Sequence, residues 1–240
     1  MSNVAAAAAE PRRRVMSLAN VTDEPDRGPQ ATILHGPPGV GKTTFVADAP
    51  DVVFICSERG LKALGRRVAH FPYPASLRDV YDAIDELVQG KHDYRHVVID
   101  SIDWVETLVQ THVCAENHVP HMEGQDYKKL YTAAMPFVNR LLRMLDALRD
   151  RRQMHVWLIA HSVQIKVSNH LGEQWDKWEL KLNKLVAERL REWADNVLFS
   201  DFVTEVQKGG KGKRAIGKMK GRALYTMESA DHCRARTARR

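Results

Sequence analysis

The stretch Gly36-Pro37-Pro38-Gly39-Val40-Gly41-Lys42-Thr43 fits the pattern G-x-x-x-x-G-K-[ST] without a mismatch and directly follows an apolar run, Thr32-Ile33-Leu34. A strand that runs into such a loop makes a phosphate cradle. Glycines let successive backbone N–H groups curl around phosphate oxygens, Lys42 brings a point charge to the β- and γ-phosphates, and Thr43 offers a hydroxyl to Mg²⁺. The nucleotide-contacting set is therefore expected to be Gly36, Pro37, Pro38, Gly39, Val40, Gly41, Lys42, Thr43 and Thr44. The alternative is a Gly/Pro-rich turn with an exposed lysine, a reading weakened by the preceding strand.

Size and charge narrow what surrounds that loop. A chain of 240 residues can bury one α/β core and is too short for two ordinary domains plus a tail. The net charge is +6 and the isoelectric point about 9.3. Basic residues crowd the segment from Lys208 to Arg240, where the acids are Glu228 and Asp231. This asymmetry suits a polyanionic partner, or else a tail kept in solution by its charge. Cys56, Cys114 and Cys233 are widely spaced and odd in number, so they imply no disulfide framework and fit a reducing cytoplasm. No apolar run approaches the roughly 18 residues that span a bilayer, which argues against a membrane protein.

Residues 1–29 read as a disordered arm with a basic patch at Arg12-Arg13-Arg14, residues 30–228 as the core, and 229–240 as a basic tail. Within the core, Val52-Val53-Phe54-Ile55-Cys56, His96-Val97-Val98-Ile99, Val156-Trp157-Leu158-Ile159-Ala160 and Val197-Leu198-Phe199 are strand-like runs separated by helical stretches. That alternation predicts a parallel sheet with helices on both faces. Leu130, Ala134, Val138, Leu141, Leu142, Leu145 and Leu148 mark one long amphipathic helix that Pro136 kinks or starts. A second helix is expected from Lys177 to Trp193, with Trp178, Leu182, Leu185, Val186 and Leu190 on one side. Val203 to Met227 reads as a hairpin whose tip is Lys208-Gly209-Gly210-Lys211-Gly212.

A phosphate loop also needs a carboxylate to hold Mg²⁺ through water, and Asp100 follows the run Val97-Val98-Ile99 in the manner of a buried strand end. Thr43 and Asp100 are thus the expected metal residues; the alternative for Asp100 is a cap on the next helix. The segment Val163–Asp176 reads as a loop in which Lys166 would meet phosphates and Trp175 would stack on a base, or as an ordinary polar loop. His112, Cys114, His118 and His121 are spaced H-x-C-x₃-H-x₂-H, unlike the usual zinc patterns, and suit a helix end with solvated histidines better than a metal.

Taken together, Gly36 to Thr44, Ser57-Glu58-Arg59-Gly60, Val97-Val98-Ile99-Asp100-Ser101 and Leu158-Ile159-Ala160-His161 resemble the motifs of RecA-like core ATPases. The set is similar in particular to phage and prophage ATP-binding proteins that include single-strand annealing recombinases. The likeness extends through Lys181-Leu182-Asn183-Lys184, Arg191 to Phe199 and Gly221 to Thr226, and covers about residues 30 to 237. It implies a RecA-like α/β core, a mostly parallel sheet flanked by helices with a basic C-terminal β-hairpin. It also implies ATP and Mg²⁺ as cofactors, self-association, and single-stranded DNA as a partner. RecA-like ATPases carry the water-positioning glutamate at the end of the strand after the phosphate-loop helix, which is Glu58 here. They place a γ-phosphate sensor where His161 stands, with Ser162 in reserve. The C-terminal family pattern is met only loosely, at Ala235 to Arg239.

The expected activity is Mg²⁺-dependent ATP hydrolysis, with Lys42, Glu58, Asp100 and His161 as the catalytic set, in phage-type recombination or strand annealing. The expected setting is the cytoplasm of a bacterium or a phage-infected host. Lys211 and Lys213 on the hairpin tip join Lys166 and Trp175 as DNA candidates, or else reach a neighbour's ATP. A single-strand-binding protein is a candidate partner. The alternatives are a nucleotide-dependent switch or loader for a partner protein with no direct DNA role, and a small-molecule kinase; the second is disfavoured because no arginine-rich lid is recognisable between Asp100 and Val156.

Overall fold

Period-two alternation within continuously apolar strands decides the architecture. In β1 (Ala31–Gly36), Ile33 packs into one cluster and Leu34 into the other. Val53 and Ile55 of β2 (Val52–Cys56) likewise oppose Phe54 and Cys56, and Val97 and Ile99 of β4 (His96–Asp100) oppose Val98. Strands buried on both faces in this way must be covered by helices on both faces. The computed structural model describes residues 17–18, 21–25, 27–122, 127–207, 216–227 and 229. The expected N-terminal arm and C-terminal tail fall largely outside these residues, and so does the hairpin tip with Lys211 and Lys213.

Among the described residues eight strands form the sheet; with β3 (Ala69–His70), β5 (His155–Ser168), β6 (Gln174–Leu180), β7 (Asn196–Gln207) and β8 (Ile216–Tyr225), the order is β3-β2-β4-β5-β1-β7-β8, and β6 pairs β5 off this path. The central pairings, β1 with β5 and β7, β4 with β2 and β5, and β2 with β3 (Ala69–His70), are all parallel. This is the mostly parallel, helix-flanked core expected, and it ends in an antiparallel hairpin of β7 (Asn196–Gln207) and β8 (Ile216–Tyr225). One face carries α2 (Leu77–Gln89), α3 (Ile102–Glu116), α4 (Tyr127–Arg152) and α5 (Lys184–Trp193) around a cluster that includes the fully buried Leu145 and Leu148. The other face carries α1 (Lys42–Val46) and a 3₁₀ turn at Gly60–Leu64. Pro136 lies inside α4 rather than at its start.

Two expectations about the middle of the chain are corrected. Residues 177–180 are not helical: Gln174–Leu180 forms β6, and the helix begins only after Asn183, whose side chain accepts the Leu185 N–H as an N-cap. The run Gln-Trp-Asp-Lys-Trp-Glu-Leu fits a strand because it pairs residue by residue with β5 (His155–Ser168), from Ser162↔Leu180 to Ser168↔Gln174. Val163–Asp176 is therefore not a loop but most of a two-stranded antiparallel ribbon. It closes over residues 169–173, where Gly172 takes φ 83° and the Asn169 side chain accepts the Leu171 and Glu173 N–H groups.

Candidate nucleotide-binding site

Residue parity places the first pair of functional groups. Asp100 has the same parity in β4 as Val98, which faces α1, and its carboxylate accepts the Thr43 hydroxyl at 2.7 Å. The phosphate loop that carries Thr43 depends on its glycines. A Cβ on Gly36 would sit 2.1 Å from the Ser200 carbonyl oxygen of β7, and Gly39 and Gly41 hold φ of 75° and 94°. A Cβ at Gly39 would meet nothing within 4 Å, so the loop is open on that side. The Lys42 ammonium folds back to donate to the Gly36 carbonyl at 2.8 Å and the Pro37 carbonyl at 3.1 Å.

Burial sets the electrostatics. It lowers the pKa of Lys42 from the usual lysine value, opposed by the nearby carboxylates of Asp100, Asp103 and Glu58. Burial also raises the pKa of Asp100; the Thr43 hydrogen bond and the Lys42 and His161 charges oppose this, and Glu58 adds to it. A half-buried hydroxyl beside a buried carboxylate that is reluctant to ionise is a donor set that a hard divalent cation would relieve, and its all-oxygen chemistry suits Mg²⁺. Cys56, next to this pair at the end of β2, is pushed up to about 12 by burial and by Asp100 and Glu58, so it stays a neutral thiol.

Glu58 and His161 meet in the structure. Ser57 ties the end of β2 to the end of β4, its N–H donating to the Asp100 carbonyl and its hydroxyl to the Ser101 carbonyl, each at 2.9 Å. This leaves the Glu58 carboxylate 3.9 Å from His161 Nε2. His161 is in register with Gly36, at the point where β5 leaves its parallel partner and becomes the ribbon. Ser162 faces away from this contact, bonded to His35 Nδ1 at 2.8 Å and buried.

Asp103 belongs to the same constellation and was not among the expected residues. Its carboxylate accepts the His161 backbone N–H at 3.1 Å and lies 2.9 Å from His161 Nδ1. Its hydrogen bond to the Asp103 carboxylate raises the His161 pKa above the usual histidine value, against its partial burial. Burial would raise the Asp103 pKa, but the bonds and charge of His161 outweigh this and hold it below the usual carboxylate range. One turn on, Glu106 accepts the Asn183 N–H at 2.9 Å, and burial pushes its pKa up to about 7. A cavity of about 580 Å³ opens between Pro38 of the phosphate loop, Asp103 and Glu106 of α3, His161 at the base of the ribbon and Lys181 just past its second strand.

Other expected residues are not brought together. Lys166 pairs with Asp176 and Trp175 with Val167, so the lysine and the tryptophan stand on opposite faces of the ribbon. His112 lies 3.3 Å from Glu116 and its ring meets Phe137 edge-on, while Cys114 is buried in the core. Among the described residues no group of three or more His, Cys, Asp or Glu is placed to hold a metal ion.

A glycine-lined loop on the central strand of a parallel sheet, with a strand-end carboxylate on its threonine, defines a P-loop nucleotide-binding domain. The chain belongs to the AAA domain family, whose profile matches residues 29–234. Among solved structures it is similar to the crystal structure of the RadB recombinase, at 16% identity over 82% of this chain and 87% of that one, with a TM-score of 0.46. No curated protein matches it. Among the described residues no helix is long and apolar enough to cross a membrane.

Proposed function

We propose that this chain binds and hydrolyses ATP with Mg²⁺ and couples hydrolysis to single-stranded DNA in phage-type recombination or strand annealing, acting in the cytoplasm as a homo-oligomer. The observation that carries the reading is the contact of Glu58 with His161, itself held by Asp103, at the strand ends beside Lys42 and the Thr43–Asp100 pair. Phosphoryl transfer asks for positioning and charge stabilisation more than covalent chemistry. Lys42 would turn from the loop carbonyls to the β- and γ-phosphates, and Thr43 and Asp100 would hold Mg²⁺, which supplies positive charge to the phosphate oxygens. Glu58 orients the attacking water. His161 keeps Nδ1 on Asp103 and presents Nε2 toward Glu58, so the γ-phosphate end of the site is one residue from the base of the ribbon.

Support for DNA rests on the ribbon, whose exposed Lys166 would meet phosphates on one face and whose Trp175 would stack on a base on the other. The Trp175 face also exposes Val163 and Ile165, and Leu171 is exposed at the turn. This favours a second reading, a nucleotide-dependent switch that grips a partner protein. Hydrolysis by the purified chain with and without single-stranded DNA, beside Lys42→Ala, separates the two. DNA-stimulated, Lys42-dependent turnover supports the recombinase reading. Unstimulated but Lys42-dependent turnover favours the switch, and turnover indifferent to Lys42 overturns both.

A further inference from the structure

The hairpin that ends the core lies against the phosphate loop on the side away from Asp100. Arg222 of β8 sits over Gly41: a Cβ added there would lie 2.6 Å from its Nη1. Among the described residues this guanidinium has no ion pair and no side-chain hydrogen bond, although Lys220, two positions before it, is paired with Glu205 at 2.7 Å. Beneath Arg222 is a niche of about 260 Å³, walled by Leu34, Val40, Thr44, Phe45 and Leu224 among others. Asp48, the carboxylate on its rim, is taken by Arg66 at 2.6 Å, so it does not neutralise Arg222.

We propose that this niche is the base subsite of the nucleotide site, with Arg222 clamping the phosphate chain in cis from the C-terminal hairpin. The inference rests on the reading of the phosphate loop as a nucleotide site and adds a second wall to it, supplied by a strand more than 170 residues downstream of Gly41. The chemistry divides between the two parts. An exposed guanidinium offers a planar fork of N–H donors that matches phosphate oxygens. The niche is too small for a whole nucleotide, but apolar side chains on α1 and on Leu224 can flank one planar ring system. Alternation along β8 puts Arg222 and Leu224 on the same face, so one strand presents the charge and the apolar wall together. Nucleotide binding would then hold β8 against the phosphate loop.

The test is equilibrium binding of ATP and of inorganic tripolyphosphate, both with Mg²⁺, to the full chain and to Arg222→Ala, Leu224→Ala and Lys42→Ala, each checked by thermal melting. The unmodified chain should bind ATP at least tenfold more tightly than tripolyphosphate. Arg222→Ala should weaken both ligands about tenfold. Leu224→Ala should weaken ATP about fivefold and leave tripolyphosphate unchanged. Equal affinity for the two ligands, with ATP binding indifferent to Arg222 and Leu224 while Lys42 still matters, overturns the subsite alone. Binding of both ligands that ignores Lys42 overturns the nucleotide reading and the subsite with it.

Discussion

The two ends of the parallel strands both gather titratable side chains, yet they are built on opposite plans. At the carboxyl ends, Lys42, Glu58, Asp100, Asp103 and His161 form a charged constellation in which each group shifts its neighbours. At the amino ends a larger cavity, about 780 Å³, is lined by Asp51, His92, His96, Arg151, Arg152 and His155. There the central pair is neutral. His96 and His155 stack with ring centroids 4.9 Å apart, and their Nδ1 atoms accept from the Trp157 indole N–H and the Gln30 backbone N–H. Burial lowers the pKa of both rings. Cavity size therefore does not mark the site. What marks it is a backbone that releases glycines at positive φ and carboxylates into the space beyond the strand ends, where open parallel sheets bind their ligands.

The sharpest way to break this comparison is Lys42→Ala, which should lower ATP turnover by about 10³-fold or more by removing the cation that the proposed mechanism turns toward the transferred phosphate. Steady-state hydrolysis reads it; a comparable loss from substitutions at the amino end would erase the contrast. Glu58→Gln should follow with a loss of about 10²–10³-fold in kcat while ATP still binds, because under the proposed mechanism the change removes the water-orienting carboxylate but no phosphate contact. Unchanged turnover would put the water elsewhere.

Asp103→Asn should have a smaller effect, about tenfold in kcat, since Asp103 positions His161 rather than touching nucleotide. Its distinguishing readout is the pH profile. In the unmodified chain the raised pKa of His161 keeps the ring protonated to higher pH than an ordinary histidine; in the variant the His161 titration should move to lower pH, measurable by NMR of the ring. A profile that does not move would reduce Asp103 to a structural role.

Asp103 also shows where the sequence stops being legible. The strands and the phosphate loop could be read because Thr32–Leu34, Val52–Cys56 and Val97–Ile99 are continuous apolar runs that end in chemistry. Asp103 reads as a first-turn helix acid, and its partner lies 58 residues away, a distance no local pattern spans. The same limit hid Arg222, whose neighbour Gly41 is reached only through hairpin pairing. The ribbon is hard to read in the sequence for a different reason. The apolar residues Trp178, Leu182 and Leu185 fall at helical spacing, but the count runs across the break before Asn183, and the true signal is the alternation of residues 174–180. Lys166 and Trp175 could be picked out as DNA-facing types, yet which face each takes is set by register, which the residues alone do not declare.

The two ends should also answer pH with opposite signs, and the stability of the fold can be used to read them separately. Glu106 holds its proton to about 7 in the folded chain, whereas the unfolded chain releases it near the ordinary glutamate value of 4.5. Between those values the folded state binds more protons, so the carboxyl end loses stability as pH rises, by an amount on the order of 3 kcal/mol once pH exceeds 7. Glu106→Gln keeps an acceptor for the Asn183 N–H and cannot ionise; it should melt at a higher temperature than the unmodified chain at pH 8 and at nearly the same temperature at pH 4.5.

At the amino end the sign reverses, and here the smallest effect is expected. His96 and His155 have pKa values below the ordinary 6.5, so as pH falls through that value the unfolded chain takes up protons that the folded chain does not. Their contribution is present above 6.5 and is lost as pH falls toward the folded-state values. His155→Gln retains a side chain that can accept the Gln30 N–H but cannot titrate, so it should flatten the acid side of the melting profile while leaving the melting temperature at pH 8 within a degree or two, about the limit set by one exposed hydrogen bond. ATP turnover should stay within about twofold, because this cavity lies at the opposite end of the parallel strands from the phosphate loop. A drop in turnover as large as that of Asp103→Asn would mean that the cavity at the amino ends communicates with the nucleotide site, and the division between a charged working end and a neutral supporting end would fall.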